Sequence, residues 1–208
     1  MKTRNPRNIP KNKLSRQMGE NIWGKENCPT NSRTYGPGQH GPKGVRRRSD
    51  YGVQLREKQK LKGYYGNIGE KQFRNIFKEA FSQKGDTSEN LLILLESRLD
   101  AIIYRANLVP TVFAARQLVN HKHLTVNGVI VNIPSYRCKP GDVIEVREKS
   151  RSIPLVVEAI QKLDRDLPEY ITLDTKAFKV SYVRYPDSDE IPYATIMSPT
   201  SVVEFYSR

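Results

Sequence analysis

The apolar residues of this chain change period part-way along, from helical to extended, and that switch sets what it can fold into. Phe73, Ile76, Phe77, Ala80 and Phe81 follow i, i+3, i+4, i+7, i+8, the stripe of an amphipathic helix over about Glu70 to Ser82. Asp86 followed by Glu89 has the form of a capping box. It opens a third helix with Leu91, Leu92, Leu95, Leu99, Ile102 and Ile103 along one stripe. After Pro110, Thr111 caps a short helix to about Asn120. Ala114, Ala115, Leu118 and Val119 face a core there, with Arg116, Gln117 and Asn120 outward and Phe113 near them. From Leu124 the period is two. Leu124 and Val126 precede Asn127-Gly128, a strong hairpin signal, and Val129 to Val131 returns. Pro140-Gly141-Asp142 turns into a strand over Val143 to Val146. Val156 to Leu163 reads as helix, and Tyr170 to Leu173 and Phe178 to Val183 as strands. Ser198-Pro199 opens a short terminal helix.

The first fifty residues are different. The apolar share of the whole chain, 37%, is low because apolar residues are scarce there. Met1 to Arg48 carries 12 Lys/Arg with only Glu20 and Glu26 as acids, and Trp23 is its one large anchor. The expectation is an extended, partly disordered arm that orders on a partner. Met1 to Lys84 holds 20 Lys/Arg against 6 Asp/Glu, a net of +14, while Gly85 to Arg208 holds 15 against 16. So lopsided a charge argues for a polyanion partner. No apolar run is long enough to span a membrane, and Met1 to Lys13 lacks the apolar core of a signal peptide. A cytoplasmic or organelle-encoded protein is expected. Cys28 and Cys138 are too few thiolates for a closed zinc site and are expected to be free.

Ser49 and Asp50 are N-caps for a helix to about Lys62. On it Arg56/Lys60 and Lys58/Lys62 are like-charged i,i+4 pairs, which repel unless phosphates neutralise them. Lys71, Arg74 and Lys78 lie off the apolar stripe of the next helix. From Arg98 to Val146 the order helix, helix, hairpin makes an αα-β platform. Arg98, Arg105, Arg116, Gln117, His121, Lys122 and Asn127 fall on its helix ends, outer face and hairpin start. Such donors suit RNA backbone and 2′-hydroxyls; a solvated polar face is the bland alternative.

Ser97-Arg98-Leu99-Asp100, Ala115-Arg116-Gln117-Leu118-Val119, His121-Lys122 and Val126-Asn127-Gly128 resemble the small RNA-binding domain named after ribosomal protein S-four. Pro37-Gly38-Gln39-His40-Gly41, the run Ser49 to Lys60, Lys13-Leu14-Ser15-Arg16, Gln72-Phe73-Arg74 and Val203-Glu204-Phe205-Tyr206-Ser207 are similar to signature stretches of the bacterial S-four family itself. The resemblance implies an α+β chain in three parts. These are a basic arm (1–44), a helical domain (45–90, completed by 184–208) and an α/β domain (91–183) that contains the RNA-binding unit 98–160. It implies a non-enzymatic constituent of the small ribosomal subunit. That constituent would bind small-subunit ribosomal RNA early, nucleate assembly and influence decoding accuracy with the fifth small-subunit protein. The third protein is a further expected neighbour; no homo-oligomer, cofactor or membrane partner is expected. RNA contacts are expected from Lys11, Lys13, Arg16, Lys43, Arg46, Arg47 and Arg48 on the arm. Tyr51, Arg56, Lys58, Lys60, Lys62, Lys71 and Arg74 are expected to add to them on the first two helices. Residues of the Lys43, Arg46, Arg47, Arg48 cluster would line the channel by which messenger RNA enters.

Other readings are weaker. Family members with zinc carry four N-terminal cysteines, and only Cys28 stands here, so no metal is expected. Val112 replaces a basic residue common after the capping Thr. Gly36 to Lys43 echoes a phosphate-binding loop, but Pro42 stands where the Lys belongs. His121-x-His123 lacks a third metal ligand nearby. Arg98-Leu99-Asp100 matches the tripeptide around the catalytic Asp of pseudouridine synthases, yet no second catalytic fold follows, and Asp100 is expected to pair with a neighbouring Arg. A module that rescues stalled large subunits is a further alternative, which the helical region and the C-terminus argue against.

Overall fold

The structure is a computed structural model that describes residues 10–43 and 49–207. Among them are eight α-helices and a five-stranded antiparallel sheet, an α+β architecture. The chain divides into two compact units. One runs to Leu91 and resumes at Tyr193, and the other is Leu92–Pro192. No helix among the described residues is long and apolar enough to cross a membrane.

The first unit holds α1 (Lys11–Met18), α2 (Asp50–Tyr64), α3 (Glu70–Ser82) and, near the C-terminus, α8 (Pro199–Tyr206). The expected extended arm is corrected here. Its described part, 10–43, contains α1 and two 3₁₀ turns, and it buries Leu14, Met18, Ile22 and Cys28. A few apolar residues suffice because α2 accepts them closely: a Cβ on Gly63 would lie 2.5 Å from Leu14 Cδ2. Glycine is what lets α1 approach α2 there. Trp23 Nε1 donates to the Tyr64 carbonyl at 3.2 Å. Ser49 Oγ accepts from Gly52 N at 3.3 Å and starts α2 as expected. In α3, Phe73, Ile76, Phe77 and Ala80 are buried, whereas Phe81 at the edge of the stripe is 66% exposed. Helix α8 packs on α2, and its Tyr206 ring stacks on Phe77 at 4.7 Å.

The second unit takes in the end of α4 (Thr87–Glu96), then α5 (Leu99–Arg105), α6 (Val112–Asn120) and α7 (Pro154–Lys162). Its strands are β1 (Leu124–Val126), β2 (Val129–Ile130), β3 (Val143–Val146), β4 (Ile171–Asp174) and β5 (Lys179–Tyr182). The apolar stripe from Leu91 to Ile103 is two helices, not one. Arg98 is extended (φ −70°, ψ 140°) and bridges to Arg137. The Ser97 carbonyl accepts from Cys138 N at 2.8 Å and Leu99 N donates to Tyr136 at 2.9 Å, so a crossing segment takes the backbone bonds that would have continued the helix. Thr111 Oγ1 accepts from Ala114 N at 3.1 Å. Val112, not Ala114, joins Ala115, Leu118 and Val119 in the core.

The sheet order is β2-β1-β3-β5-β4, with Leu124 opposite Val146 and Ile144 opposite Val180. Asn127 (φ 50°) and Gly128 (φ 80°) form the β1–β2 turn, as the dipeptide predicts. Residues 184–192, grouped with the helical part in the sequence reading, cluster with the sheet. Arg184 holds them there, donating to Glu190 at 2.8 Å and lying 3.6 Å from Glu169.

Candidate nucleic-acid interface

A basic side chain can meet a phosphate only if it is not already spent inside the protein. Three of the expected contacts on α2 are spent. Lys58, Lys60 and Lys62 are 5%, 3% and 9% exposed. Lys58 and Lys62 each donate to Glu70, at 2.8 and 2.9 Å. Lys60 pairs with Glu57 at 2.9 Å and Glu20 at 3.1 Å, and donates to the Ile196 carbonyl at 2.7 Å. Carboxylates, not phosphates, relieve the like-charge repulsion read in the sequence. Glu70 is the centre of this knot. Partial burial pushes its pKa up, but hydrogen bonds from Lys58, Lys62 and Tyr206, with the Lys62 charge, outweigh that and leave it at about 2.

Two expected contacts of the second unit are also internal. Arg98 is 1% exposed, and its Nε and Nη2 donate to Asp100 at 2.9 and 2.7 Å. Asp100 is thus paired with a neighbouring Arg, as the sequence reading expects, and it is closed off from solvent. Arg105 is 3% exposed, donates to both oxygens of buried Glu96 at 2.6 to 3.2 Å, and reaches the Pro192 carbonyl at 2.8 Å. Asn127 is committed as well. Its amide donates to Asp142 Oδ1 and its carbonyl accepts from Val143 N, both at 2.9 Å, which fixes the hairpin on β3.

What remains exposed forms coherent stripes. On α3, Lys71, Arg74 and Lys78 stand at i, i+3 and i+7, opposite the buried Phe73, Ile76 and Phe77. Lys13 on α1 is exposed and Tyr51 is 50% exposed, its ring 5.5 Å from Phe205. Arg56 is half-buried, as is Arg16, whose guanidinium donates to the Gly36 carbonyl at 3.0 Å and lies over the Tyr35 ring. Arg46, Arg47 and Arg48 lie outside the described residues, and of Lys11 and Lys43 only the backbone is described.

In the second unit the end of α6 gathers polar groups. Gln117 and His121 share a helix face, and both are exposed. His121 and His123 rings lie 5.9 Å apart, and Lys122 turns through a left-handed backbone (φ 61°) between them. Arg116 is half-buried, with Nε 3.9 Å from Asp100 Oδ2. The sequence reading missed Arg147. It follows β3 and is brought beside His123 by the pairing of Leu124 with Val146. Its backbone N–H donates to the His123 carbonyl and its guanidinium to the Lys122 carbonyl, both at 2.9 Å. Counting register outward from that pair would have found it. His123 Nδ1 lies 2.9 Å from Ser150 Oγ. Desolvation first, then the charges of His121 and Arg147, hold its pKa below the usual value. Among the described residues no group of three or more His, Cys, Asp or Glu could hold a metal ion.

Residues 7–96 match the family described as the ribosomal protein S4/S9 N-terminal domain, and residues 97–144 match the S4 domain. The small ribosomal subunit protein uS4 of Maricaulis maris is 63% identical over 201 residues, covering 97% of this chain and 98% of that protein. The chain belongs to the uS4 family. The uS4 proteins of Phenylobacterium zucineum and Rhizobium meliloti are each 62% identical with the same coverage. Within this uS4-family chain the S4-domain match ends inside β3, so Arg147, α7, β4 and β5 lie beyond it.

Proposed function

We propose that the chain is a structural, non-enzymatic component of the small ribosomal subunit that binds its ribosomal RNA. One observation carries this reading. After the internally paired bases are set aside, each unit keeps an exposed polar or basic stripe, Lys71/Arg74/Lys78 on α3 and Gln117/His121/Lys122 at the end of α6, the latter with half-buried Arg147 beside it. Counterion release from such groups gives salt-dependent affinity, and the rigid αα-β frame sets orientation. Arg116 and Arg56, both half-buried, are proposed as contacts at the margins of these stripes. Asp100, sealed by Arg98, supports a binder over an RNA-modifying enzyme.

The family resemblance extends the proposal. Early binding would nucleate assembly of the subunit body. Contact with the fifth protein would bear on accuracy, the third protein would be a neighbour, and Lys43 with Arg46, Arg47 and Arg48 would face incoming messenger RNA. The test is binding to the 5′ region of small-subunit ribosomal RNA across a salt series, against an unrelated structured RNA. Selective binding with a steep salt slope is expected; equal binding to both RNAs would reduce the chain to a general basic RNA binder.

A further inference from the structure

The end of α6 crowds more positive charge than it neutralises. His121 caps the helix, Lys122 and His123 follow, and the pairing of Leu124 with Val146 brings Arg147 alongside. The two imidazole rings lie 5.9 Å apart. Arg147 donates to the Lys122 carbonyl at 2.9 Å, which pins the turn and leaves the guanidinium charge in place. On the 3₁₀ turn Glu148–Ser150, Glu148 and Lys149 are exposed, and Ser150 Oγ lies 2.9 Å from His123 Nδ1. Glu145, further back on β3, is paired with Lys179 on β5 at 2.8 Å. Within segments 121–123 and 147–150, the cations Lys122, Arg147 and Lys149 therefore stand against the one carboxylate of Glu148, before either imidazole takes a proton.

Such a cluster ties anion binding to protonation. An ordinary imidazole, with a pKa of about 6.5, is mostly neutral at pH 7. His123 is held further toward the neutral form, by desolvation first and then by the charges of His121 and Arg147. The ring can still take a second proton where it stands. The Ser150 hydroxyl accepts from Nδ1 as readily as it donates, and His123 Nε2 and the His121 ring nitrogens have no hydrogen-bond partner among the described residues. Helix α6 also ends here, and the negative end of its dipole favours a cation. A phosphate oxygen supplies the negative charge the cluster lacks, and it binds a charged imidazole better than a neutral one. The coupling is reciprocal, so whatever protonation does for phosphate affinity, phosphate does for protonation.

We propose that a phosphate of the bound RNA sits among His121, Lys122, His123 and Arg147, and that its arrival draws a proton from solvent onto the histidine pair. The proposal rests on the reading of the chain as a binder of small-subunit ribosomal RNA. Affinity then rises as pH falls through the range where the pair is protonated in the complex and neutral in the free chain. It levels off once the free chain is protonated too. The test is binding of the full chain to the 5′ region of small-subunit ribosomal RNA from about pH 8 to about pH 5.5, the range over which imidazoles titrate, at fixed salt and against an unrelated structured RNA. Binding several-fold tighter at the acid end is expected, with net proton uptake read by calorimetry in buffers of different ionisation enthalpy. His121→Gln with His123→Gln is expected to abolish both. A flat affinity, or a pH dependence that survives in the double variant, would overturn the proposal. Should the double variant fail to fold, the native pair answers directly. His40 is the one other histidine of the sequence, so in a His40→Gln chain the imidazole proton resonances come from His121 and His123. They are expected to titrate at higher pH with RNA bound than without it, and equal midpoints would sink the idea. Selective binding without pH dependence removes the proton and spares the RNA interface. No preference for the 5′ region at any pH removes the interface and the phosphate site with it.

Discussion

An arginine in an RNA-binding protein is not thereby an RNA contact, and Arg98 and Arg105 show why. Each has a carboxylate at hydrogen-bonding distance in a dry interior, so removing the base leaves an uncompensated buried charge. Arg98→Ala and Arg105→Ala are expected to cost about 3–5 kcal/mol each in urea unfolding, and to impair RNA binding only through the fold. Lys122→Ala is expected to do the reverse. It should leave stability within about 0.5 kcal/mol, weaken binding to all RNAs alike and lower the salt slope by about 1. Glu70 gives a pH signature. Its folded pKa of about 2 lies below the ordinary 4.5, so the native state favours the ionised carboxylate. The stability this adds is fully present above about pH 4.5 and is lost as pH falls toward 2. Glu70→Gln is expected to flatten the stability–pH curve in that window, as read by denaturant midpoints at each pH. The sequence could not assign these groups. Residue type marks Lys58 and Lys62 as basic, but only the approach of α3 to α2 brings Glu70 between them.

At the scale of elements, the α3 stripe, the Thr111 cap and the Asn127-Gly128 hairpin are written in spacing and turn chemistry, and all three formed where spacing put them. Two errors have a common cause. The stripe of α4 and α5 is continuous in sequence, but the strand-like crossing at Arg137 breaks it from outside. Segment 10–43 is polar on average, but Leu14, Met18 and Ile22 occur where α2 can receive them. Deleting residues 1–33 is therefore expected to destabilise the first unit rather than trim it. Three buried apolar side chains at roughly 1.5–3 kcal/mol each should lower the denaturant midpoint markedly. A truncated chain with an unchanged midpoint would restore the loose-arm reading.

At the scale of the whole molecule, the 35 Lys and Arg overstate the cations available to phosphates, because some are consumed in pairs such as Arg98–Asp100 and Arg105–Glu96, which leave the net charge of +13 as it is. The salt slope of RNA binding is accordingly expected to report fewer phosphates than a count of Lys and Arg suggests. Fold class and family motifs were legible along the whole chain. Which cations are available was not, since availability is a property of packing. The sheet sets a further boundary. One edge is β4, of four residues, and the other, β2, is only two residues long. So short a margin presents almost no ladder of free amides and carbonyls for a neighbouring chain to extend. In a particle crowded with extended basic polypeptides, the β2 margin gives a stranger almost nothing to lengthen, so on that side whatever holds the protein in place must grip it by side chains.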